Sequence, residues 1–490
     1  MTAAASDDVA ALSRRFGPSY RWRLLGSVMV GTMASVMSST IVNVAIPDMS
    51  RHFALGQERA QWVSSGFMVA MTVAMLTTPW MLSRFGYRRT YVGTMLLLLL
   101  GGILGGVAAW FPLVLVARVA EGLAAGAVQP IPAIIMLRAF EPSEQGKASG
   151  LFGMGVVLAP ALGPSIGGLL VDGFGWRSIF FMVVPFCLAS IWLAYRYVPT
   201  NAPGGGATQR EAALDWRGLV LAAAGTVALL NGLVELHGPT KVAGLALLAV
   251  AAALLAGFIA WQHRAAKTGR EPLMNLGLFR HRSYAMGTVV SFIYGIALFG
   301  STYLLPVYMQ VGLQLPASHV GTILLPAGIV LAFTIGGVGR LTHRLPTYVL
   351  VTTGLAMLTA SFALMPTVPS EAPLVLLVAW AILGRIGLGF ILPSLNLGSM
   401  RALDKSLIPY GASAINFVRM LGGAAGVSLC AVVLEWRIAA HGDSLANPHT
   451  SPARIAAFDE SFLLLAAICA LAMVAAWQLR EPPQASSTGE

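Results

Sequence analysis

The chain has 490 residues, of which 57% are hydrophobic and only 10% are charged. Soluble proteins carry about a quarter charged residues, so this composition excludes a soluble enzyme or regulator and predicts an integral membrane protein. The net charge of +11 is scattered over short connections without a clustered basic face, which argues against a nucleic-acid-binding protein.

Fourteen apolar runs are long enough to cross a bilayer. They lie at about 22–46, 61–83, 90–110, 113–138, 147–171, 177–198, 216–236, 241–262, 283–309, 318–340, 346–366, 373–400, 407–435 and 459–479. We therefore predict an all-α integral membrane fold with fourteen transmembrane helices in a 6+2+6 order. The predicted parts are a cytoplasmic N-terminus 1–21, a six-helix bundle 22–198, a linker 199–282 that carries two inserted helices, a second six-helix bundle 283–480 and a cytoplasmic tail 481–490.

The distribution of positive charge predicts how the chain crosses the membrane. With the N-terminus in the cytoplasm, 22 of the 31 Lys and Arg residues lie in inner connections and 6 in outer connections. Cytoplasmic loops of membrane proteins carry an excess of Lys and Arg, so both termini are expected in the cytoplasm. The N-terminal region lacks the pattern of a cleavable signal peptide.

Two pairs of similar sequence patterns predict that the two six-helix bundles are pseudo-symmetric. Span 4 contains Arg118 followed four residues later by Gly122, and span 12 contains Arg385 followed by Gly389 in the same way. The ends of spans 2 and 10 are also similar, and each pair occupies the same place in a set of six. Repeated halves around a central site are typical of transporters.

Span 1 carries three polar side chains that are candidates for substrate binding: Ser38, Thr40 and Asn43. Hydrogen bonding between helices explains them equally well, so both interpretations stay open. The stretch from Met37 to Pro47 resembles the first-helix motif of fourteen-span drug:proton antiporters of the major facilitator superfamily. An Asp normally stands there in place of Ser38, so a role for that carboxylate in proton binding does not carry over.

The connection between spans 2 and 3 contains Ser83, Arg84, Gly86 and Arg88. It resembles the cytoplasmic signature loop of the same superfamily, which implies a gate loop, although Ser83 replaces an Asp of that motif. Ordinary positive charge on an inner loop explains the arginines about as well.

Arg118 and Glu121 of span 4 are the predicted proton-coupling pair. A cation inside a span is costly, and a carboxylate three residues later lies on the same helical face. The pair is either a local ion pair that lowers the cost of placing Arg118 in the bilayer, or a site at which Glu121 binds and releases a proton. The surrounding residues resemble the fourth-helix motif of the antiporter family, whose Arg is implicated in proton coupling and whose residue at the Glu121 position is more usually Gln.

Span 5 contains an unusual density of Pro and Gly, namely Pro160, Gly163, Pro164, Gly167 and Gly168. Such a segment is helical only where neighbouring helices support it, and its glycines expose backbone to which another helix packs closely. The residues predict a bent hinge or an ordinary packing face. They resemble the antiporter motif of the family, which marks drug/proton exchange.

Further polar residues in the apolar runs complete the predicted substrate-binding set. They are Gln129, Asn231, Tyr303, Arg385, Asn396 and Asn416. A structural role is also open for them, and for the tyrosine a core or lipid contact is the commoner explanation.

The resemblance extends over nearly the whole chain and identifies it as a member of the EmrB- and QacA-like drug:proton antiporters. It implies export of amphipathic or hydrophobic drugs from the cell (inner) membrane, driven by proton entry. Export of an endogenous lipid, fatty acid or siderophore, and a non-transporting scaffold or sensor, remain alternatives. In a Gram-negative host it also implies an EmrA-like periplasmic adaptor and an outer-membrane channel as partners.

No cofactor, metal or catalytic activity is predicted. The sequence contains no Gly-rich phosphate loop and no nucleophile motif. The three cysteines, Cys187, Cys430 and Cys469, lie in apolar runs without metal or redox spacing, so they are expected to be small buried side chains.

Overall fold

The computed structural model describes residues 9–55, 57–60, 62–201, 203, 213–236, 241–368, 374–443 and 449–480, without the side chains of 9–10, 57–58, 161–162, 164–165 and 317–318. The described residues form helices and no strand. The predicted tail 481–490 and most of the predicted linker ahead of span 7 lie outside them.

Fourteen long helices follow one another along the described chain. They are α1 (Tyr20–His52), α2 (Trp62–Phe85), α3 (Tyr87–Gly106), α4 (Phe111–Ala139), α5 (Pro142–Phe174), α6 (Ser178–Tyr197), α7 (Trp216–Glu235), α8 (Lys241–Lys267), α9 (Arg282–Gly312), α10 (Ala317–Leu341), α11 (Thr347–Thr367), α12 (Val375–Gly398), α13 (Ile408–Ala440) and α14 (Pro452–Trp477). Short helices at Val9–Phe16 and Gln57–Ala60 flank α1.

The helices match the predicted spans in number and order. Among the described residues, 13 helices are long and apolar enough to cross a membrane. The remaining long helix, α5, is 33 residues long and stands where span 5 is predicted. Large apolar side chains are exposed on the outer faces of several helices, among them Leu100, Leu169 and Val220. Such faces are stable against lipid, so the chain is a multi-pass membrane protein.

The last two helices extend past their predicted bounds into the connection between them. Helix α13 continues to Ala440 and α14 begins at Pro452, so the connection predicted between residues 435 and 459 is much shorter. The predicted span 13 ended at residue 435, two residues before Arg437, whose charge is compensated by an ion pair with Glu460 of α14. Ser451 caps α14, since its side chain accepts a hydrogen bond from the Arg454 amide at 3.1 Å.

The described chain divides into two units, one comprising Met1–Leu276 with Lys405–Leu421 and the other Gly277–Asp404 with Gly422–Glu490. Within the first unit, α1 packs on α6, α2 on α4, α3 on α4, and α3 on α6. Within the second unit, α9 packs on α14, α10 on α12, α11 on α12, and α11 on α14. The same four pairings recur eight helices later, as expected for an internal repeat.

Glycine packing shows the same repetition at residue level. In the first unit, a Cβ on Gly167 of α5 would lie 2.7 Å from Cγ1 of Ile41 on α1. In the second unit, a Cβ on Gly426 of α13 would lie 2.6 Å from backbone atoms of Ile296 on α9. Each glycine therefore lets a long helix approach the first helix of its unit closely.

Candidate functional site

The predicted pair on α4 lies in the interior of the first unit. The exposed fraction is 1% for Arg118 and 0% for Glu121. Nη1 of Arg118 donates to Oε2 of Glu121 at 2.5 Å, so the i, i+3 spacing produces the ion pair that the sequence predicted. A charged pair held this far from solvent is stable only if each charge is compensated and hydrogen-bonded.

Two neighbouring helices complete the coordination of Arg118. Its Nε donates to the carbonyl of Val63 on α2 at 3.1 Å, and its Nη1 contacts the Ser38 carbonyl at 3.2 Å and the Ser38 Oγ at 3.0 Å on α1. The guanidinium also lies over the ring of Phe67, with Cζ 4.2 Å from the ring centroid. These contacts fix the position of the cation from three sides.

Glu121 lies where α1, α3 and α4 approach one another. Its Oε2 accepts a second hydrogen bond from the Oγ of Ser38 at 3.3 Å. A Cβ on Gly101 of α3 would lie 2.7 Å from Cγ of Glu121, so only a glycine leaves room for this side chain. Among the described residues, Oε1 of Glu121 and Nη2 of Arg118 have no hydrogen-bond partner.

The Ser38–Arg118–Glu121 cluster therefore combines one fixed cation, one carboxylate and one hydroxyl in a space without solvent access. With the carboxylate charged, the cluster is neutral. Protonation of Glu121 would leave an uncompensated cation in the interior, which is unfavourable unless another group compensates it. This arrangement makes the charge of the cluster sensitive to a proton or to a charged ligand.

The glycines of α5 contact α1 close to this cluster. A Cβ on Gly163 would lie 2.7 Å from Oγ1 of Thr40, and Gly167 faces Ile41. A Cβ on Gly168 would meet nothing within 4 Å among the described atoms. Pro160 is half-buried within the same continuous helix, whereas the side chain of Pro164 lies outside the described residues. Among the described motif side chains and glycines, Gly163 and Gly167 therefore face α1.

The predicted gate loop is tied to the end of α6. The Nε of Arg88 donates to the carbonyl of Val198 at 2.7 Å, and Ser83 Oγ donates to the carbonyl of Trp80 at 3.0 Å. Gly86 ends α2 with φ +78°, a conformation that favours glycine. Arg84 stands in the last turn of α2. The structure thus brings these residues together in a tight turn.

Two other predicted substrate-binding residues of the first unit form hydrogen bonds to the backbone of their own helix. Thr40 donates to the carbonyl of Met37 at 3.2 Å, and Asn231 donates to the carbonyl of Val227 at 2.8 Å. Asn43 instead accepts a hydrogen bond from Ser64 Oγ on α2 at 2.7 Å, and the buried Asn416 accepts one from Arg419. Gln129 is half-buried at the turn within α4. Within the described residues, no hydrogen bond links any of these residues to Ser38.

The second unit holds the remaining candidates on α9 and α12. Arg385 is half-buried and lies close enough to Tyr294 for an electrostatic interaction. Tyr303 is half-buried and interacts in the same way with Glu435, and Asn396 is half-buried on α12. The three predicted cysteines are buried, as expected.

Two features were missed by sequence reasoning. The Val63 carbonyl and the Phe67 ring complete the Arg118 site, but nothing in the sequence distinguishes them from other residues of α2. Asp215 was also missed, although an Asp directly before an apolar run is a helix N-cap signal. Its carboxylate accepts from the Gly218 amide at 3.0 Å and from Trp261 Nε1 at 2.8 Å, which joins α7 to α8.

Comparison with known proteins identifies relatives of this chain by sequence. The model of the Major Facilitator Superfamily matches residues 28–427. The multidrug resistance protein B homolog of Mycobacterium tuberculosis is 28% identical over 90% of this chain and 83% of its own. The lincomycin resistance protein LmrB of Bacillus subtilis is 23% identical over 83% of this chain and 84% of its own.

Among solved structures, the human organic anion transporter MFSD10 superimposes with a TM-score of 0.68 at 15% sequence identity. The superposition covers 94% of this chain and 100% of that chain. At this identity the similarity concerns the fold alone.

Proposed function

Because the chain belongs to the Major Facilitator Superfamily, we propose that it is a proton-coupled efflux transporter that exports amphipathic or hydrophobic drugs by alternating access. Proteins of this family are transporters, so the chain is not an enzyme. Relatives named for multidrug and lincomycin resistance support drugs as the exported class. The place of action would be the cell (inner) membrane, with both termini in the cytoplasm.

The observation that carries this proposal is the buried Ser38–Arg118–Glu121 cluster. In a purely structural buried ion pair, both carboxylate oxygens are expected to have hydrogen-bond partners. Here Oε2 of Glu121 is shared between Arg118 and Ser38, while Oε1 is uncommitted within the described part of the chain. Oε1 is therefore the atom on which a proton would reside.

Coupling follows from the charge of the cluster. A proton on Glu121 removes the negative charge that pairs with Arg118 in the described part of the chain. A drug that changes the access of solvent to this site then changes the proton affinity of Glu121. By linkage, the proton changes the affinity for the drug by the same factor. Exchange of one for the other allows an inward proton gradient to drive export.

The other predicted residues receive subsidiary roles in this proposal. The segment from Pro160 to Gly168 acts as the hinge, and the turn from Ser83 to Arg88 as the cytoplasmic gate. The substrate-binding role stays with the polar set named above. In a Gram-negative host, a periplasmic adaptor and an outer-membrane channel would be partners of the transporter.

Glu121→Gln tests the proposal. The amide keeps an oxygen that accepts from Arg118 and Ser38, but it binds no proton at neutral pH. Drug uptake is measured in everted vesicles with an imposed pH gradient. We expect the rate of gradient-driven transport by the variant to be at least about 100-fold lower, as is typical when a proton-transfer group is removed. Drug binding and drug/drug exchange without a gradient should persist.

Glu235→Gln is the matched control, since Glu235 is an exposed carboxylate on α7 outside the cluster. It should transport like the unmodified protein over a panel of lipophilic cations, neutral drugs and fatty acids. Gradient-driven transport by Glu121→Gln at the unmodified rate would reduce Glu121 to a structural partner of Arg118. Transport of fatty acids alone would contradict the drug assignment and favour the lipid alternative.

A further inference from the structure

The start of α7 and the end of α8 form a groove that the transport mechanism does not use. Five residues line it: Trp216, Arg217, Val220, Leu221 and Trp261. Its volume is about 460 Å³. Trp216 is 67% exposed and Val220 is 62% exposed, so the groove opens on the outer surface of the helical hairpin. Apart from the guanidinium of Arg217, the exposed lining is apolar.

The walls of this groove are held in fixed positions by buried polar contacts. The indole N–H of Trp261 donates to Asp215 Oδ1 at 2.8 Å, and Gln262 donates to Oδ2 of the same carboxylate at 2.8 Å. Gln262 in turn accepts a hydrogen bond from the Met274 amide at 3.2 Å. The ring of Trp261 therefore turns its apolar face, not its N–H, towards the groove.

A positive charge stands at the mouth of the groove. The Cζ of Arg217 lies 5.2 Å from the centroid of the Trp261 ring. Arg264 follows three residues after Trp261 on the same face of α8, and Lys267 lies in the last turn. None of these three cations forms an ion pair within the described residues. The nearby Asp215 carboxylate already accepts hydrogen bonds from the Gly218 amide, Trp261 and Gln262.

The ligand that fits this surface is amphipathic and anionic. An apolar groove at the end of two membrane helices faces acyl chains, whereas the cations beside it face headgroups. Tryptophan is enriched at this boundary, and basic pockets between helices on the cytoplasmic side bind acidic headgroups. Arg matches a phosphate better than Lys because it offers two parallel N–H donors.

We propose that this groove is a binding site for an anionic phospholipid of the cytoplasmic leaflet. Its phosphate contacts Arg217, and one acyl chain lies against Val220 and Leu221 between the two tryptophans. The choice of leaflet rests on the orientation given under the proposed function. The binding itself requires neither a drug nor a proton gradient.

Native mass spectrometry of the full chain in detergent tests this site. Phosphatidylglycerol and phosphatidylcholine with the same acyl chains are titrated separately, and the affinity of the first bound lipid is compared. We expect the unmodified protein to prefer phosphatidylglycerol. Arg217→Ala should weaken phosphatidylglycerol binding about fivefold, since one interfacial cation contributes about that factor. It should weaken phosphatidylcholine binding less, because the choline cation offsets the charge of the phosphate that both lipids share. Arg217→Lys should retain most of the preference.

Arg196→Ala provides the matched control. Arg196 is also exposed at the end of a helix, with its Cζ 5.7 Å from the ring centroid of Trp192, but it does not line the groove. It should keep the lipid preference of the unmodified protein. The proposal is overturned if the unmodified protein binds both lipids equally, or if Arg217→Ala and Arg196→Ala reduce the preference to the same extent. Because no gradient is present, either result leaves the antiport test intact.

Discussion

Arg118 illustrates what a single residue in this chain requires from its surroundings. A guanidinium inside a membrane protein needs acceptors, and here they come from a carboxylate, a hydroxyl and two backbone carbonyls. The carboxylate was predictable because Glu121 follows at helical spacing. The contribution of Ser38 was not, since it is 80 residues away and only the packing of α1 on α4 brings the two together.

The geometry of the cluster predicts the effect of moving its carboxylate. Ser38→Asp would place a second carboxylate beside Glu121, because Ser38 Oγ lies 3.3 Å from Oε2 of Glu121. Two carboxylates at this distance cannot both be charged beside one guanidinium. We expect gradient-driven transport to fall in Ser38→Asp, because one of the two carboxylates then stays protonated throughout the cycle. The double variant Ser38→Asp/Glu121→Gln restores one carboxylate per cation and should recover part of the transport lost in Glu121→Gln.

Proteoliposome transport with and without a pH gradient measures all three variants. Ser38→Ala is the control, since it removes a hydroxyl without adding charge and should change transport far less than Ser38→Asp. A double variant as inactive as Glu121→Gln would show that the carboxylate works only from α4.

At the level of helices, α5 depends on its small residues. Composition predicted that its glycines pack against a neighbour, and the structure identifies the neighbour as α1. The neighbour was not predictable, because Gly at i and i+4 exposes a backbone groove without indicating which helix fills it. The end of α13 was missed because the predicted span stopped before Arg437, and the ion pair of Arg437 with Glu460 makes that charged position compatible with helix.

Adjacent glycines on α5 make a matched test of this packing. In Gly167→Ala, the new Cβ would lie 2.7 Å from Cγ1 of Ile41 and 3.3 Å from its carbonyl oxygen, so α5 must move away from α1. We expect a loss of about 1–3 kcal/mol in the free energy of unfolding, as is typical of overpacking. Thermal unfolding in detergent, followed by tryptophan fluorescence, measures the change.

Gly168→Ala adds the same methyl group at a position where no atom of the described residues lies within 4 Å of it. Its melting temperature should equal that of the unmodified protein or exceed it, because Ala favours helix over Gly. Equal destabilisation by both substitutions would mean that α5 tolerates no added methyl group anywhere, independent of its contact with α1.

At the scale of the molecule, the membrane class and the order of the helices were predictable because the apolar runs are long and contain few charged residues. The internal repeat was predicted from two pairs of similar sequence patterns, and the recurrence of four helix pairings eight helices later agrees with it. Which side of the membrane each connection occupies remains a prediction from loop charge, since helix packing alone has no inside or outside.

Thiol labelling decides this orientation. The three native cysteines are buried, so the unmodified protein should not react with a membrane-impermeant maleimide. Gly173→Cys and Thr268→Cys each place a thiol at an exposed position, separated by the three helices α6, α7 and α8. We expect intact cells to label the cysteine at 173 and to label the one at 268 only after permeabilisation. The reverse pattern would invert the topology.

The short stretch of α1 from Ser38 to Ile41 has contacts on two sides, with the α4 ion pair through Ser38 and with the α5 glycines through Thr40 and Ile41. If α1 slid along α5 by the rise of a single residue, about 1.5 Å, Ser38 could no longer reach Glu121 at hydrogen-bond distance. The same slide would move Thr40 off Gly163. A single small displacement of α1 along its axis would therefore alter both contacts together.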